Sequence, residues 1–369
     1  MSDARSTQKL AEIRRQIDAI DEQLQALISR RAELARAVGE TKFPEPAGLT
    51  NAPRDYYRPE REAEILREVV ARNAGPLKDE EIVRLFREIM SACLAQQEPM
   101  KVAFLGPEGT FSQAAVLKQF GHSVRTLAVP SIEEVFHDVE AGIADFGVVP
   151  VENSTEGTVS TTLDMLVVTP LRISGEVELR IRQHLLGRME SLDQVRRVYS
   201  HQQSLAQCRA WLDQRLPGVE QVTVASNAEA ARLAAGEAGA AAIAGDTAAE
   251  VYGLAVLMAN IEDRPDNTTR FVVIGRESPG PSGRDKTSLL LSSRHAAGAL
   301  QELLAPLSRH GVSMTRIESR PSRRGKWDYV FFVDVEGHRE DANVAAALRE
   351  LETAAAWCRV LGSYPVAIL

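Results

Sequence analysis

The spacing of apolar residues changes near residue 100, and this change constrains the fold more than any other feature of the chain. Before it, apolar residues recur every three or four positions, which is the period of an amphipathic helix. After it, short apolar runs alternate with turns and helical patterns, which is typical of a mainly parallel α/β sheet. The length of 369 residues predicts two or three domains.

Composition and charge exclude several classes of protein. A net charge of −8 argues against a chain whose main task is to bind phosphate backbones, so we expect no nucleic-acid partner. Cys93, Cys208 and Cys358 lie far apart, which suggests neither a disulfide framework nor a metal site and fits a reducing cytoplasm. The first residues lack the apolar core of a signal peptide, and the longest apolar stretch, 251–261, is too short to span a membrane. We therefore expect a soluble cytoplasmic protein.

The first segment predicts an all-helical domain. Its first helix carries one apolar stripe: Leu10, Ile13, Ile17, Ile20, Leu24, Leu27, Ile28, Leu34 and Val38. At ~1.5 Å per residue this helix is about 50 Å long, so it needs a long partner, and we expect a dimeric bundle. After a Pro-rich break, Pro59 is suited to begin a second helix, and Asp79 is suited to cap a third.

The remaining segments predict an α/β domain of two lobes and a small α+β domain. We expect the chain to cross between lobes at 180–187 and to return to the first lobe with the strand at 271–275. The Gly-, Pro- and Ser-rich run 278–285 predicts a linker. The order after it is strand, helix, strand, strand, helix, strand, which is ferredoxin-like. The predicted domains are 1–99, 100–277 and 285–369.

Charged and polar residues of the helical segment could bind one anionic ligand. Arg31 and Lys42 are separated by about three helical turns, so both project along one stripe, and Arg14 lies on the same helix. Arg61 is in the first turn of the second helix, and Gln97 continues the inward face of the third. A charged helix surface is the competing explanation for these residues.

Taken jointly, this arrangement resembles the all-helical chorismate mutase family over residues 8–98. The strings that carry the resemblance are IRRQIDAID (13–21), LISRRAEL (27–34), Lys42, RPERE (58–62) and Gln97. The implied reaction, chorismate to prephenate, is a rearrangement that needs a folded dianion and donors near the ether oxygen rather than a nucleophile. The Pro-rich stretch after Lys42 is longer than is usual in the family.

The mutase resemblance implies a role for each residue. The implied site residues are Arg14, Arg31, Lys42, Arg61, Glu62 and Gln97. Arg14 would reach into the site of a partner subunit, and the other two arginines would bind the carboxylates with their planar forks. Lys42 and Gln97 would hydrogen-bond the ether oxygen, and Glu62 the ring hydroxyl.

Four strings in the α/β segment place small polar residues where strands meet helices. They are GPEGTFS (106–112), VPVENS (149–154), SHQQSLAQC (200–208) and DNTTRF (266–271). Free N–H groups at helix starts can bind carboxylates, although helix capping alone also explains many such residues. No glycine-rich nucleotide-binding spacing follows any strand.

These four strings, in this order, resemble the prephenate dehydratase family over residues 101–276. The resemblance implies a two-lobed, periplasmic-binding-protein-like fold with the site between the lobes. Thr269 would donate a proton to the departing hydroxyl of prephenate, Arg270 would hold a carboxylate and Phe271 would shape the pocket. The implied substrate-positioning residues are Thr110, Glu152, Asn153, Ser154 and Gln203. Aromatisation drives this reaction, so a weak acid suffices and no metal or organic cofactor is required.

The last segment is similar to the ACT regulatory domain. The strings AGALQELLAPL (297–307) and ESRP (318–321) carry the resemblance. It implies that phenylalanine binds between paired modules and inhibits, so effector and substrate weaken each other's binding. The implied effector residues are Gly298, Ala299, Leu300, Glu318, Ser319 and Arg320.

The three resemblances together predict a homodimer or larger assembly that converts chorismate to prephenate and prephenate to phenylpyruvate, carbon dioxide and water. Two alternatives compete with this hypothesis. A small-molecule sensor could use the same two-lobed fold without catalysis, but it would not need Thr269. A mutase fused to a prephenate dehydrogenase is disfavoured because the dinucleotide fingerprint is missing from the sequence.

Overall fold

The computed structural model describes residues 2–42, 57–97, 99–293, 297–321 and 329–368. The helical segment consists of α1 (Ser2–Lys42), α2 (Pro59–Arg72) and α3 (Asp79–Leu94). The predicted long helix and the start of the second helix at Pro59 are confirmed. Asp79 is the first residue of α3 rather than its cap, because Lys78 occupies the N-cap position.

The apolar stripe of α1 is uncovered within one chain. Its nine residues are all exposed, from 40 % at Ile28 to 64 % at Leu27. Near its end α1 contacts α3, and α3 in turn contacts α2. In the described part of the chain, no helix is both long and apolar enough to cross a membrane.

The α/β segment forms two lobes. The first part of lobe 1 contains β1 (Lys101–Leu105), α4 (Phe111–Phe120), β2 (Arg125–Val129), α5 (Ile132–Glu140), β3 (Phe146–Asn153), β4 (Gly157–Thr158), α6 (Ser160–Val168) and β5 (Arg172–Arg180). Lobe 2 contains β6 (His184–Gly187), β7 (Arg197–His201), α7 (Gln202–Gln207), α8 (Arg209–Arg215), β8 (Glu220–Val224), α9 (Asn227–Gly236), β9 (Ala240–Ala244), α10 (Asp246–Tyr252) and β10 (Ala255–Met258). The chain then returns to lobe 1 as β11 (Thr268–Gly275), as predicted.

Each lobe has its own sheet. In lobe 1 the strand order is β2-β1-β3-β11-β5, with β4 beside β3, and β11 runs antiparallel to both neighbours. In lobe 2 the order is β10-β6-β9-β7-β8. Ser131 and Ser226 cap α5 and α9 by accepting the N–H groups of Glu134 and Glu229, as their spacing predicts.

The C-terminal module has the predicted ferredoxin-like order. It comprises β12 (Asp285–Ser292), α11 (Ala299–Arg309), β13 (Met314–Pro321), β14 (Tyr329–Glu336), α12 (Ala342–Ala354) and β15 (Trp357–Pro365). The sheet order is β13-β14-β12-β15, with antiparallel pairing throughout. One face of this sheet packs under α11 and α12, where Leu289 and Leu291 are buried.

The other face of the module sheet packs directly against lobe 1. Leu290, Phe332 and Leu361 share a hydrophobic cluster with Val272 and Ile274 of β11. Because successive strand residues point to opposite faces, the module contributes alternate residues to two different cores. Lobe 1 and the C-terminal module are therefore joined by a common core.

The predicted linker at 278–285 is a fixed connection. Ser282 and Asp285 are buried, and the Ser282 hydroxyl donates to the Asp285 carboxylate at 2.6 Å. Arg67 of α2 donates to the backbone oxygens of Ser282 and Arg284. The Gly, Pro and Ser composition therefore marks a tight turn held by side chains rather than a flexible tether.

Candidate functional site

The two sheets face each other with the edges at which their parallel strands end. In lobe 1 the carboxyl ends of β1, β3 and β5 and the amino end of β11 lie at one edge, because β11 runs antiparallel to these strands. In lobe 2 the carboxyl ends of β7, β8 and β9 likewise share an edge. Ligands of open α/β sheets bind outside the carboxyl ends of strands, so the interlobe cleft is the expected site.

Two chain crossings join the lobes side by side. Ile181 donates its backbone N–H to the oxygen of Asn267 at 2.8 Å. The side chain of Asn267 donates to Gln207 at 3.2 Å, and that of Gln183 donates to Ser204 at 3.0 Å. Sequence reasoning did not single out Gln183 and Asn267, which hydrogen-bond the crossings to lobe 2. The available signal was a polar residue in each crossing between apolar strands.

The turn after β1 brings the lobes into contact. Tyr252 of α10 donates its hydroxyl to the backbone oxygen of Glu108 at 3.0 Å, and the ring of Phe111 fills the space where a side chain at 245 would begin. Thr110 caps α4 by accepting the N–H of Gln113 at 3.4 Å. Gln203 lies exposed in the first turn of α7.

Asn153 and Thr269 form a hydrogen-bonded pair where β3 and β11 meet the cleft. They are direct partners across the two strands, and the Asn153 amide donates to Thr269 Oγ1 at 2.7 Å. The amide orientation is set, because Asn153 Oδ1 accepts the N–H groups of Thr155 and Glu156 at 2.9 and 3.0 Å. Thr269 Oγ1 therefore accepts from Asn153, and its own hydroxyl proton is available to another acceptor.

The neighbouring residues complete this strand end. Ser154 exchanges two hydrogen bonds with Thr268: its N–H donates to the Thr268 oxygen at 2.9 Å, and its hydroxyl accepts the Thr268 N–H at 3.0 Å. Asn153 also donates to the side chain of the buried Asn267 at 2.9 Å. The pair is thus held to the second interlobe crossing as well as to the sheet.

Glu152 lies on the opposite face of β3 from Asn153, and its role in positioning the substrate stays a prediction. The register of β3 against β11 slips between Arg270 and Phe271, so that Val151 is an extra residue in the strand. Such a bulge places two consecutive residues on one face. Glu152 consequently faces the C-terminal module, where Arg316 binds its carboxylate at 2.7 Å.

Arg270 also faces the module, and its role in holding a substrate carboxylate stays a prediction. Its guanidinium contacts Glu176 at 2.9 Å, Asp334 at 2.7 Å and the Tyr364 hydroxyl at 3.0 Å. Burial alone would lower the pKa of Arg270, but Tyr364, Asp334 and Glu176 together raise it above its ordinary value. Lys286 binds the same Glu176 carboxylate, so this network contains two cations and two anions.

Phe271 is a core residue of lobe 1. It is 2 % exposed and packs in the cluster beneath α4 with Phe104 and Val177. It supports the strand that carries Thr269 from below, and it does not border the open cleft. Its role in shaping the pocket stays a prediction.

Arg31 and Gln97 come together at the end of α1. Gln97 donates its amide to the backbone oxygen of Ala35 at 2.6 Å and packs on Gly39, and Arg31 is half-buried one turn earlier. Lys42 ends α1, and its side chain lies outside the described residues. Arg14 is exposed about 25 Å nearer the start of α1 at ~1.5 Å per residue. One chain therefore does not bring Arg14 to Arg31.

The two predicted residues of α2 point in different directions. Arg61 is exposed and pairs with Glu64 at 2.9 Å. Glu62 is half-buried and pairs with Arg87 of α3 at 3.3 Å, and desolvation raises its pKa above the ordinary value despite the attraction of Arg87. Glu62 therefore lies at the packing interface of α2, and its role as a ligand of the ring hydroxyl stays a prediction.

The predicted effector residues are divided between the two faces of the module sheet. Gly298 adopts a left-handed conformation with φ +80° at the start of α11, and Ala299 and Leu300 follow it at the surface. Ser319 alternates to the face beneath the helices. Arg320 faces lobe 1 and donates to Ser160 and Asp164, both at 2.9 Å, and its role as an effector contact stays a prediction. By the same alternation Glu318 faces lobe 1.

A possible metal-ligand group lies away from this cleft. Among the described residues, Glu134, His137 and Asp138 of α5 bring ligand atoms within 4.8 Å of one another. Two of the three are exposed, and exposed acidic groups of this kind are common without a bound ion. They take no part in the arrangement around Thr269.

Comparison with known proteins accounts for nearly the whole chain. Family models match type II chorismate mutase at residues 13–98, prephenate dehydratase at 102–279 and the ACT domain at 287–353. A bifunctional chorismate mutase/prephenate dehydratase of Pseudomonas aeruginosa is 52 % identical over 98 % of this chain and 99 % of its own length. The chain belongs to the bifunctional chorismate mutase/prephenate dehydratase family. It is an enzyme with both activities of that family, and the predicted fold class and function are confirmed.

Solved structures resemble the dehydratase and ACT portions of this family member. A prephenate dehydratase of Arthrobacter aurescens in complex with L-Phe is 36 % identical, covers 72 % of this chain and 90 % of that one, and has a TM-score of 0.66. A protein described as a novel type of quorum-quenching acylase is 33 % identical, covers 72 % and 98 % of the two chains, and has a TM-score of 0.67. The same fold is therefore similar to proteins described with different activities.

Proposed function

We propose that the interlobe cleft at the Asn153–Thr269 pair is the dehydratase site and that Thr269 is its proton donor. The carboxylate carbon–carbon bond of prephenate breaks, carbon dioxide leaves, and its electron pair forms the aromatic ring as the ring carbon–oxygen bond breaks. Thr269 gives its proton to the departing hydroxyl, which leaves as water. The single observation that carries this proposal is the 2.7 Å hydrogen bond from Asn153 to Thr269 Oγ1.

The Asn153 amide would help the Thr269 hydroxyl, whose pKa is poorly matched to a general acid, to donate its proton. The ordinary pKa of an aliphatic hydroxyl is far above neutrality, so negative charge on Oγ1 must be stabilised as the proton leaves. An N–H donor already directed at that oxygen does this without reorganisation. Aromatisation supplies much of the driving force, so the acid need not be strong.

The remaining cleft residues would position the substrate. Thr110 and Ser154 lie at the carboxyl ends of β1 and β3, and Gln203 lies in the first turn of α7 across the cleft. With Arg270 engaged by Glu176 and Asp334, backbone N–H groups at the start of α4 become the proposed partners for a substrate carboxylate. Thr110 directs that helix start towards lobe 2.

The mutase site is proposed to form between two copies of the chain. Arg31, Lys42, Gln97 and Arg61 would come from one copy, and Arg14 from the partner. The exposed apolar stripe of α1 supports this proposal, because a stripe of nine exposed apolar residues is stabilised by burial against a second helix of equal length. We therefore propose a homodimer as the smallest active unit.

Phenylalanine is the proposed effector and the cytoplasm the proposed location. Gly298, Ala299, Leu300 and Ser319 would contact the effector, with Glu318 reached through the open edge of β13. The related A. aurescens enzyme in complex with L-Phe supports this choice of ligand. All three cysteines are unpaired thiols, as expected in a reducing compartment.

Thr269→Val tests the proton-donor assignment. Supplied with chorismate alone, the wild-type enzyme should yield phenylpyruvate, and less of it when phenylalanine is added. Thr269→Val should accumulate prephenate with kcat of the dehydratase lowered by about 10²- to 10⁴-fold, while mutase turnover is unchanged. Thr269→Ser is the control, because it keeps the hydroxyl and should retain most activity. Phenylpyruvate formation by the valine variant at the wild-type rate contradicts the assignment.

A further inference from the structure

Four charged residues lie directly behind the Asn153–Thr269 pair, on the opposite face of the sheet. Glu152 and Arg270 are partners across β3 and β11 in lobe 1. Arg316 and Asp334 are partners across β13 and β14 in the module. The two cross-strand pairs face each other with opposite signs: Arg316 binds Glu152 and Asp334 binds Arg270, each at 2.7 Å. We call these four residues the charge quartet.

We infer that Arg316 and Asp334 of the C-terminal module are positioning residues of the dehydratase reaction. Glu152 is bonded in sequence to Asn153, and Arg270 to Thr269. The module therefore holds the residue before Asn153 and the residue after Thr269. In this way it sets where the ends of β3 and β11 meet. This inference rests on the proposed function, because it takes Thr269 as the reacting group.

The geometry of Arg316 fits a positioning role better than a general adhesive one. Its side chain is 13 % exposed, and beyond Glu152 it donates to Thr158 Oγ1 at 3.4 Å. Thr158 is the partner of Glu152 in the short β3–β4 pairing. Arg316 thus joins both strands that lead into and out of the turn containing Ser154.

The partners of Asp334 secure the other half of the quartet. Its second carboxylate oxygen accepts the Ser288 hydroxyl at 2.5 Å, and the Ser288 hydroxyl is 2.7 Å from that of Tyr364. Every charged group of this half has an oppositely charged neighbour, so the network can be buried. Removing one member leaves a buried charge uncompensated, and the strand carrying it must shift.

Displacement of the pair should lower the rate of the chemical step. The Asn153–Thr269 contact is short and directional, and misplacement of a reacting group by about 1 Å can cost about 10²-fold in rate. A residue that bound the substrate equally in the ground and transition states would instead raise KM and leave kcat unchanged. The positioning role therefore predicts a lower kcat with KM little changed.

A double-mutant cycle on Arg316→Met and Glu152→Gln in the full-length enzyme tests the inference. Each single variant should lower kcat for prephenate by about tenfold and leave KM within about twofold. The double variant should lose no more than the Arg316→Met variant, because both changes break the same contact. Asp334→Asn should show a similar loss of kcat, since it weakens the other half of the quartet.

Two internal controls separate positioning from loss of folding. Chorismate mutase turnover in the same samples should stay at the wild-type rate. Arg309→Met removes an arginine of the module that pairs with Glu350 on the helical side, and it should leave dehydratase kcat unchanged. Arg316→Lys keeps the charge and should restore part of the lost kcat.

Specific results would overturn the inference. Wild-type kcat in Arg316→Met shows that the module does not position the pair. Losses that multiply in the double variant show that Arg316 and Glu152 act independently, and a rise in KM alone shows that the residue contributes to substrate binding instead. If Thr269→Val keeps full turnover, the proton-donor assignment fails, whereas the cycle still reports whether the quartet controls dehydratase kcat.

Discussion

Some candidate residues of the helical segment lie far apart within one chain, whereas the candidate pair of lobe 1 is already in contact. Along α1, nine apolar residues are exposed and Arg14 is far from Arg31. In lobe 1, Asn153 already contacts Thr269, and the C-terminal module covers the opposite face of the same strands. The dehydratase site as proposed lies within one chain, whereas the mutase site as proposed requires a second copy.

This difference follows from the number of layers in each region. A single long helix has one apolar face and little to bury it against, so stability must come from another chain. A sheet covered on both faces is complete within its own chain and fixes the ends of its strands. The comparison teaches that the two activities of one polypeptide should respond differently to changes at interfaces.

The largest effect is expected from charges placed in the α1 stripe. The double variant Ile20→Asp with Leu24→Asp should dissociate the proposed dimer, because buried carboxylates would lie against apolar partners. Mutase turnover should fall by about 100-fold or more, and dehydratase turnover on added prephenate should stay within about twofold. Light scattering and the two assays measure this. Ser29→Asp, on the far side of the same helix, is the control; equal loss of both activities would remove the contrast between the regions.

The next largest effect should come from the Asn153 amide. Asn153→Asp keeps an acceptor for the N–H groups of Thr155 and Glu156 but removes the donor to Thr269. We expect dehydratase kcat to fall by about 10- to 100-fold, in line with the loss of a donor at a developing negative charge. Asn227→Asp removes a similar amide-to-hydroxyl contact with Ser204 in lobe 2 and should have little effect on kcat. Unchanged kcat for the Asn153 variant would contradict the role of the amide.

A moderate effect on stability is expected at the contact between β15 and β5. A Cβ at Gly362 would lie 2.1 Å from the backbone oxygen of Ile173, so Gly362→Ala must push the two strands apart. We expect a loss of about 1–3 kcal/mol in unfolding free energy, with lobe 1 and the module unfolding together. Thermal unfolding monitored with both assays tests this, and Gly236→Ala, where the new Cβ meets open space, is the control. Independent melting of the module would refute the common core.

The smallest effect concerns Glu62. Because burial raises its folded-state pKa, the stability that Glu62 contributes is present below its ordinary pKa and is lost as pH rises through the raised value. The unfolding free energy measured by urea titration should therefore decline as the pH rises from ~4.5 through the raised pKa of Glu62. Glu62→Gln should reduce that decline. Glu64→Gln, an exposed neighbour on α2, should leave the slope as it is. A steeper decline in the Glu62 variant would show that the carboxylate is favoured in the fold.

Local patterns predicted the elements well because each depends on residues close in sequence. The three- and four-residue spacing predicted α1, and the Pro59 start of α2 followed from local backbone preference. The string DNTTRF by itself predicted only the start of a strand, and the resemblance to prephenate dehydratase pointed to Thr269. The prediction of the elements needed only periodicity and chain order.

Contacts between distant segments were harder to predict. Alternation along β11 separates Thr269 from Arg270, and this could have been inferred once the strand was recognised. The bulge at Val151 could not, because it arises from the fit of β3 against β11, and it moves Glu152 to the module face. Arg316 and Asp334 carried no signal of their own, since their partners lie more than 60 positions away.

The amino-acid sequence by itself determined the order of helices and strands, the family, and the strings that contain the catalytic candidates. Tertiary structure alone decided which members of those strings share a face. The physical reason is that a side chain's environment depends on strand register and on the sheet packed behind it, and both are set by contacts between segments far apart in the chain. Adjacent residues such as Thr269 and Arg270 therefore have side chains on opposite faces of one sheet.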